Sequence, residues 1–197
     1  MDNSRAIAWL LVAVAIAAAP NAYAQRAHKL PGVSGKRVGF EVQTDFDFGG
    51  DDLATVSFVN GKSQDVKAGQ GLVVSAGLHF RPVDTTPFDL QALVGYKYVT
   101  TAASNADINV SRVVLQFLGD YQFSNGVYVG GGIVRHSGTK LDGDGFFRNI
   151  DFDDSTGFVL ESGWGWVGLH YTNIKYRNNF VKGIDASHVG LRLTYRF

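Results

Sequence analysis

The chain has no cysteine among its 197 residues, which excludes disulfides and thiolate chemistry. It has no excess of either charge, with 18 Lys+Arg against 18 Asp+Glu, so no field selects nucleic acid or a purely acidic partner. It also lacks an apolar run long enough to cross a bilayer comfortably as a helix, because the N-terminal run from Ala6 to Ala19 falls short of the ~20 residues required. Proline (4) and methionine (1) are scarce, whereas glycine (24), phenylalanine (14) and tyrosine (8) are abundant. Glycine with aromatic and β-branched residues favours strands and turns over helices. The length suits one domain and is short for two.

The first residues, MDNSRAIAWLLVAVAIAAAPNAYA, carry the parts of a secretory signal in order. Arg5 supplies a positive region, Ala6 to Ala19 the apolar stretch, Pro20 a break, and Ala22-Tyr23-Ala24 a small-x-small cleavage site. The expected organisation is a signal peptide over 1–24, cleaved near Ala24, a short periplasmic segment over 25–35, and one β domain over 36–197. No Cys stands at the cleavage point, so lipid attachment there is excluded.

From Arg37 onward the hydrophobic period is two. In RVGFEVQTDFDF, Val38, Phe40, Val42, Phe46 and Phe48 share a parity, while Arg37, Glu41, Gln43, Asp45 and Asp47 share the other. The same alternation runs through GLVVSAGLHFR, FDLQALVGYKYV, RVVLQFLGDYQF and the final HVGLRLTYRF, and more roughly through GVYVGGGIVRH, TGFVLESGWG and WVGLHYTNIKY. The count is eight strands. In the seventh, Ile174 and Tyr176 are apolar on the polar parity, which predicts a bulge or a membrane edge after Thr172.

The connections alternate in length. Arg81 to Pro87, Ser124-Asn125-Gly126 and Gly163-Trp164-Gly165 are tight, whereas Gly49 to Gly69, Thr100 to Asn109, Gly138 to Ser155 and Arg177 to Ala186 are long and polar. Short turns at one end and long loops at the other, around an even number of strands, is the layout of an outer-membrane barrel. Asn60-Gly61 could close a small hairpin inside the first loop.

Alternation alone does not say which face looks outward. A soluble barrel would turn its apolar parity inward. In a bilayer each Lys or Arg facing lipid near the midplane costs ~2–4 kcal/mol, so the charged parity must line the interior. The predicted lumen network is Arg37, Glu41, Asp45, Arg81, Asp89, Lys97, Arg112, Asp120, Glu161, Arg192 and Arg196, with both signs available for pairing. An eight-stranded interior has room only for side chains, so a polar plug is expected. Aromatic residues near strand ends, Phe80, Phe88, Phe123, Trp164, Trp166, Tyr195 and Phe197 on one side and Phe46, Phe48, Tyr96, Tyr98 and Tyr171 on the other, read as two girdles.

The ending HVGLRLTYRF, with His188, Gly190, Leu193, Tyr195 and terminal Phe197, resembles the assembly signal of outer-membrane proteins. With DYQFSNGVYVGGGI and GWVGLHYTNIKY, the chain from about Gly35 resembles the small OmpA/OmpX/OmpW-like outer-membrane β-barrel family. The resemblance implies an eight-stranded antiparallel up-and-down transmembrane β-barrel and recognition by the barrel-assembly machinery. It implies outer-membrane lipid and lipopolysaccharide as surroundings and leaves open an extracellular ligand of the loops. A structural or surface role leads; a narrow channel for small solutes and a lipid A-modifying enzyme are the alternatives.

For catalysis the weak candidates are His136, Ser137 and Glu161, a combination similar to the Ser, His and acidic residue of lipid A deacylases. Adjacent strand residues point to opposite faces, so His136 and Ser137 do not readily meet. Asp142, Asp144, Asp151, Asp153 and Asp154 gather in one segment without the spacing of a calcium loop. No motif spacing points to a cofactor or a metal. Lys175, Arg177 and Lys182 suit anionic lipid phosphates.

Overall fold

A computed structural model describes residues 37–57, 63–82, 87–100, 108–145, 148–178 and 182–197. The signal peptide over 1–24 and the segment over 25–35 lie outside the described residues, as does most of the Arg81–Pro87 turn. The chain forms β1 (Val38–Phe48), β2 (Asp52–Ser57), β3 (Ser63–Lys67), β4 (Gly71–Phe80), β5 (Phe88–Thr100), β6 (Asn109–Gln122), β7 (Val127–Asp142), β8 (Ile150–Asp151), β9 (Ser155–Trp164), β10 (Val167–Asn173), β11 (Lys175–Arg177), β12 (Lys182–Asp185) and β13 (His188–Arg196). No helix is found among the described residues.

Eight of these strands close into an antiparallel barrel. Its circuit runs β1, β4, β5, β6, β7, β9, β10, β13 and back to β1. The closing seam pairs the first strand with the last, from Glu41 opposite Arg196 to Phe48 opposite Val189, and Phe197 N–H donates to Phe40 O at 2.9 Å. Closure leaves no unpaired edge in the wall.

The alternation decides the faces. Along β1, Gly39, Glu41, Gln43, Asp45 and Asp47 are buried, whereas Val38, Phe40, Phe46 and Phe48 are exposed. The contrast is wide: Phe117 is 65% exposed and Ile133 58%, against 2% for Arg192 and 0% for Glu41. The apolar face is therefore outside and the charged face inside, the reverse of a water-soluble barrel.

The two ends differ. At one end Ser124-Asn125-Gly126 turns β6 into β7, with Gly126 at φ 83° and its N–H donating to Phe123 O at 3.0 Å. The β9–β10 turn consists of Gly165 and Trp166, with Gly165 at φ 61°. It sits one to two residues later than expected, because Trp164 still pairs with Val167.

At the other end the long connections are not simply solvated. The hairpin foreseen at Asn60-Gly61 is present as β2 and β3, although Asn60 and Gly61 themselves lie outside the described residues. A second hairpin joins β11 and β12. The two are bonded at their bases, where Asp51 N–H donates to Asp185 O at 2.7 Å and Asp185 N–H to Asp51 Oδ2 at 2.8 Å. Below them Val66, Ala68, Ile108, Val110, Leu141, Phe152, Ile174, Tyr176 and Ala186 form a buried apolar cap.

This cap accounts for the apolar Ile174 and Tyr176 on the polar parity. Even-numbered residues from Gly168 to Tyr176 all stay buried, so no side chain changes face after Thr172. What changes is the strand partner, from β9 and β13 to β12, and the filling of the interior, from charge to cap. The strand irregularity expected after Thr172 is present as a register shift between Tyr176 and Arg177 in the β11–β12 pairing, and a further one lies in β7, opposite Ser111 and Val113. There Gly138 takes φ 60°, and the buried parity moves from His136 to Thr139.

Candidate functional site: the lumen

Because every second residue of eight strands points inward, the lumen is assembled from residues far apart in sequence. It divides into three layers along the barrel axis.

At the tight-turn end, Arg196 is the hub. Its Nε lies 2.5 Å from Glu41 Oε2 and its Nη1 2.8 Å from Asp89 Oδ2, with Asp120 at 3.8 Å. Gln91 Nε2 donates to Asp120 at 2.5 Å, and Gln43 Nε2 to Glu41 at 2.5 Å and Gln91 at 3.0 Å. Arg81 reaches Asp89 at 3.7 Å, and His79 Nδ1 lies 3.4 Å from the same carboxylate. Arg37 stands exposed immediately before β1, outside this layer.

In the middle, Arg192 grips Asp45 with two bonds of 2.8 Å, from Nε and Nη2. Its Nη1 donates to Glu161 and Nη2 to Gln116 Oε1 at 2.9 Å. A planar guanidinium can satisfy two carboxylates and an amide at once, which an ammonium could not do in the same geometry. Val73, Leu93, Val114, Leu118, Val134 and Val159 are also buried on the inward parity. The sequence reading left these aliphatic residues unassigned.

Toward the cap, Asp47 is the centre. Lys97 Nζ lies 2.6 Å from Asp47 Oδ2 and donates to Gly69 O at 2.6 Å. His170 Nε2 is 3.0 Å from Asp47 Oδ1 and His188 Nε2 3.3 Å from Oδ2. Arg112, expected to pair with an acid, instead donates to Gln70 O at 3.1 Å and lies 5.5 Å over the Tyr176 ring. His136 Nδ1 is 2.6 Å from the Tyr176 hydroxyl. Asp47, His79 and His170 are absent from the expected charge set, although all three sit on the polar parity, which is the available signal.

Two small voids remain between the described lumen residues. One void of about 30 Å³ touches Gln91, Tyr128, Glu161 and Arg196. Another, of about 10 Å³, touches Asp47, Gln116, His170 and Arg192. Neither exceeds the room needed for one or two waters, about 10–15 Å³ each.

The three weak catalytic candidates are not brought together. His136 is buried beside Tyr176. Ser137 faces the other way, its hydroxyl donating to Asp154 at 3.1 Å. Glu161 lies six positions along β9 from Ser155, the partner of His136, or ~20 Å at the strand rise. Of the acidic segment, Asp154 is tied to Arg135 at 2.9 Å; that guanidinium, with the Ser137 hydroxyl, holds its carboxyl below the ordinary value of 3.8.

No family model matches the chain, and no curated protein matches it. Among solved structures, the chain is similar to outer membrane protein AlkL, determined by solid-state NMR in DMPC lipid bilayers, at 15% identity and TM-score 0.42, over 91% of this chain and 96% of that one.

Proposed function

We propose that the protein is a small integral outer-membrane β-barrel of the OmpA/OmpX/OmpW-like kind, whose plugged scaffold serves a structural or surface-interaction role. The observation that carries this reading is the inverted barrel: a closed apolar wall around an interior of paired charge with voids of about 30 and 10 Å³. Such a wall exposed to water would be a large aggregation-prone surface, and in lipid it is matched to its solvent. The alternating HVGLRLTYRF segment, which forms the strand that closes the barrel on β1, is in keeping with delivery to the barrel-assembly machinery. Exposed Lys175 and Arg177 at the loop end suit lipopolysaccharide phosphates.

The test is fractionation with heat-modifiable migration. Recovery in the outer membrane and a faster-migrating form before boiling are expected, and recovery as a soluble periplasmic protein would sink the proposal. Lipid A from overexpressing cells is expected to keep its mass spectrum, because His136, Ser137 and Glu161 are held apart.

A further inference from the structure

The histidines around Asp47 do more than its charge requires. Lys97 already neutralises that carboxylate, yet two imidazoles converge on it from different strands, with Asp47, His170 and His188 each offering one donor atom within 4.8 Å of the others, all buried. His170 Nε2 lies 3.0 Å from Asp47 Oδ1 and His188 Nε2 3.3 Å from Oδ2, so both imidazoles meet the carboxylate edge at separations a little short of the ~3.4 Å between neighbouring donors around a tetrahedral ion with bonds near 2.0–2.2 Å.

Three details point the same way. His188 Nδ1 is held 2.8 Å from Ala186 O, an outer hydrogen bond of the kind that fixes a ligating imidazole's tautomer and leaves Nε2 facing inward. Asp47 Oδ1 is buried without a well-aligned hydrogen bond. Gly190 pairs with both Asp47 and His170 in the sheet, and a Cβ there would fall 2.1 Å from Asp47 Oδ1 and 2.6 Å from His170 Nε2. The residue between the two ligands therefore has to be glycine for the pocket to exist. The void of about 10 Å³ that touches Asp47, His170 and His188 has room for about one water as a fourth ligand.

We propose that Asp47, His170 and His188 form a binding site for a divalent first-row transition ion, with zinc best matched to two imidazoles and a carboxylate. Asp47 lies on β1, His188 at the start of β13 and His170 on β10, so the ion staples the seam at which the barrel closes. Lys97 is its competitor, because the ammonium stands 2.6 Å from Asp47 Oδ2 and 3.3 Å from His188 Nε2. The cap covers the site, so the ion enters as the barrel closes.

The full chain, refolded into detergent micelles with zinc and then desalted, is expected to retain one ion per chain by elemental analysis. Refolding with cobalt is expected to give the visible absorption of a four-coordinate site. H170Q and H188Q each lower zinc affinity by at least about 100-fold, more than loss of an outer-sphere partner, while migration on gels shows the barrel still folded. K97M binds more tightly than the parent, and H79Q, altered in the opposite layer, is unchanged. Absence of stoichiometric zinc and of the cobalt absorption in the parent would overturn the proposal. So would unchanged affinity in both H170Q and H188Q.

Discussion

Arg192 is the side chain on which the middle of the lumen depends, because one guanidinium serves Asp45, Glu161 and Gln116. Replacing it by methionine leaves two carboxylates buried without a counter-charge, a change worth about 3–5 kcal/mol. R192M is therefore expected to lower stability by that amount in urea titrations of the refolded barrel, and the triple change R192M/D45N/E161Q to recover most of it. At the rim, Asp154 offers a milder test. Its carboxyl titrates below 3.8, so the stabilisation it gives is present above that value and lost as pH falls through the lower folded value. Protection of the Gly138 amide, which donates to Asp154 Oδ1 at 3.4 Å, is expected to fall over that acidic range when exchange is compared with the intrinsic rate at each pH, and D154N to remove that change in protection.

Among the elements, β7 and β10 show where glycine meets close approach. A Cβ on Gly132 would lie 1.9 Å from Phe117 O and 2.8 Å from Leu118 Cα, both backbone atoms of β6. Neither can rotate away, so G132A is expected to force β6 and β7 apart and cost ~1–3 kcal/mol, as overpacking does, measurable as a lower urea midpoint. The same crowding reasoning applies at Gly168, where an added Cβ would meet the Tyr128 hydroxyl at 2.1 Å, although there a side chain could shift. Strand identity was readable from period two and turn residues. A β2–β3 hairpin was one reading of the first loop, and its strands pair from Val56 opposite Gln64 to Ser57 opposite Ser63. The cap was not, because Ile174 and Tyr176 look like a slipped strand until the second hairpin is seen folding over the mouth.

As a whole molecule the barrel is a filled cylinder closed twice, by ion pairs through its length and by an apolar cap at its loop end. Planar-bilayer recordings of the purified protein are expected to show no resolvable conductance, since passage would require breaking buried pairs such as Arg192–Asp45 as well as lifting the cap. Stable single-channel steps would favour the narrow-channel alternative over a plugged scaffold.

What the amino-acid order determined by itself is local and periodic: eight strands of alternating polarity, an apolar parity too large to face water, and a charged parity that lipid would reject. These follow from side chains switching faces at each residue, which needs no tertiary information. Only the folded barrel decided who meets whom inside it. Arg192 reaches Gln116, 76 residues away, and Arg196 reaches Glu41, 155 away. Asp47 meets His170 across Gly190 because β1, β13 and β10 lie side by side in one register. Contacts across a lumen depend on strand order and stagger; a linear pattern of polarity carries neither.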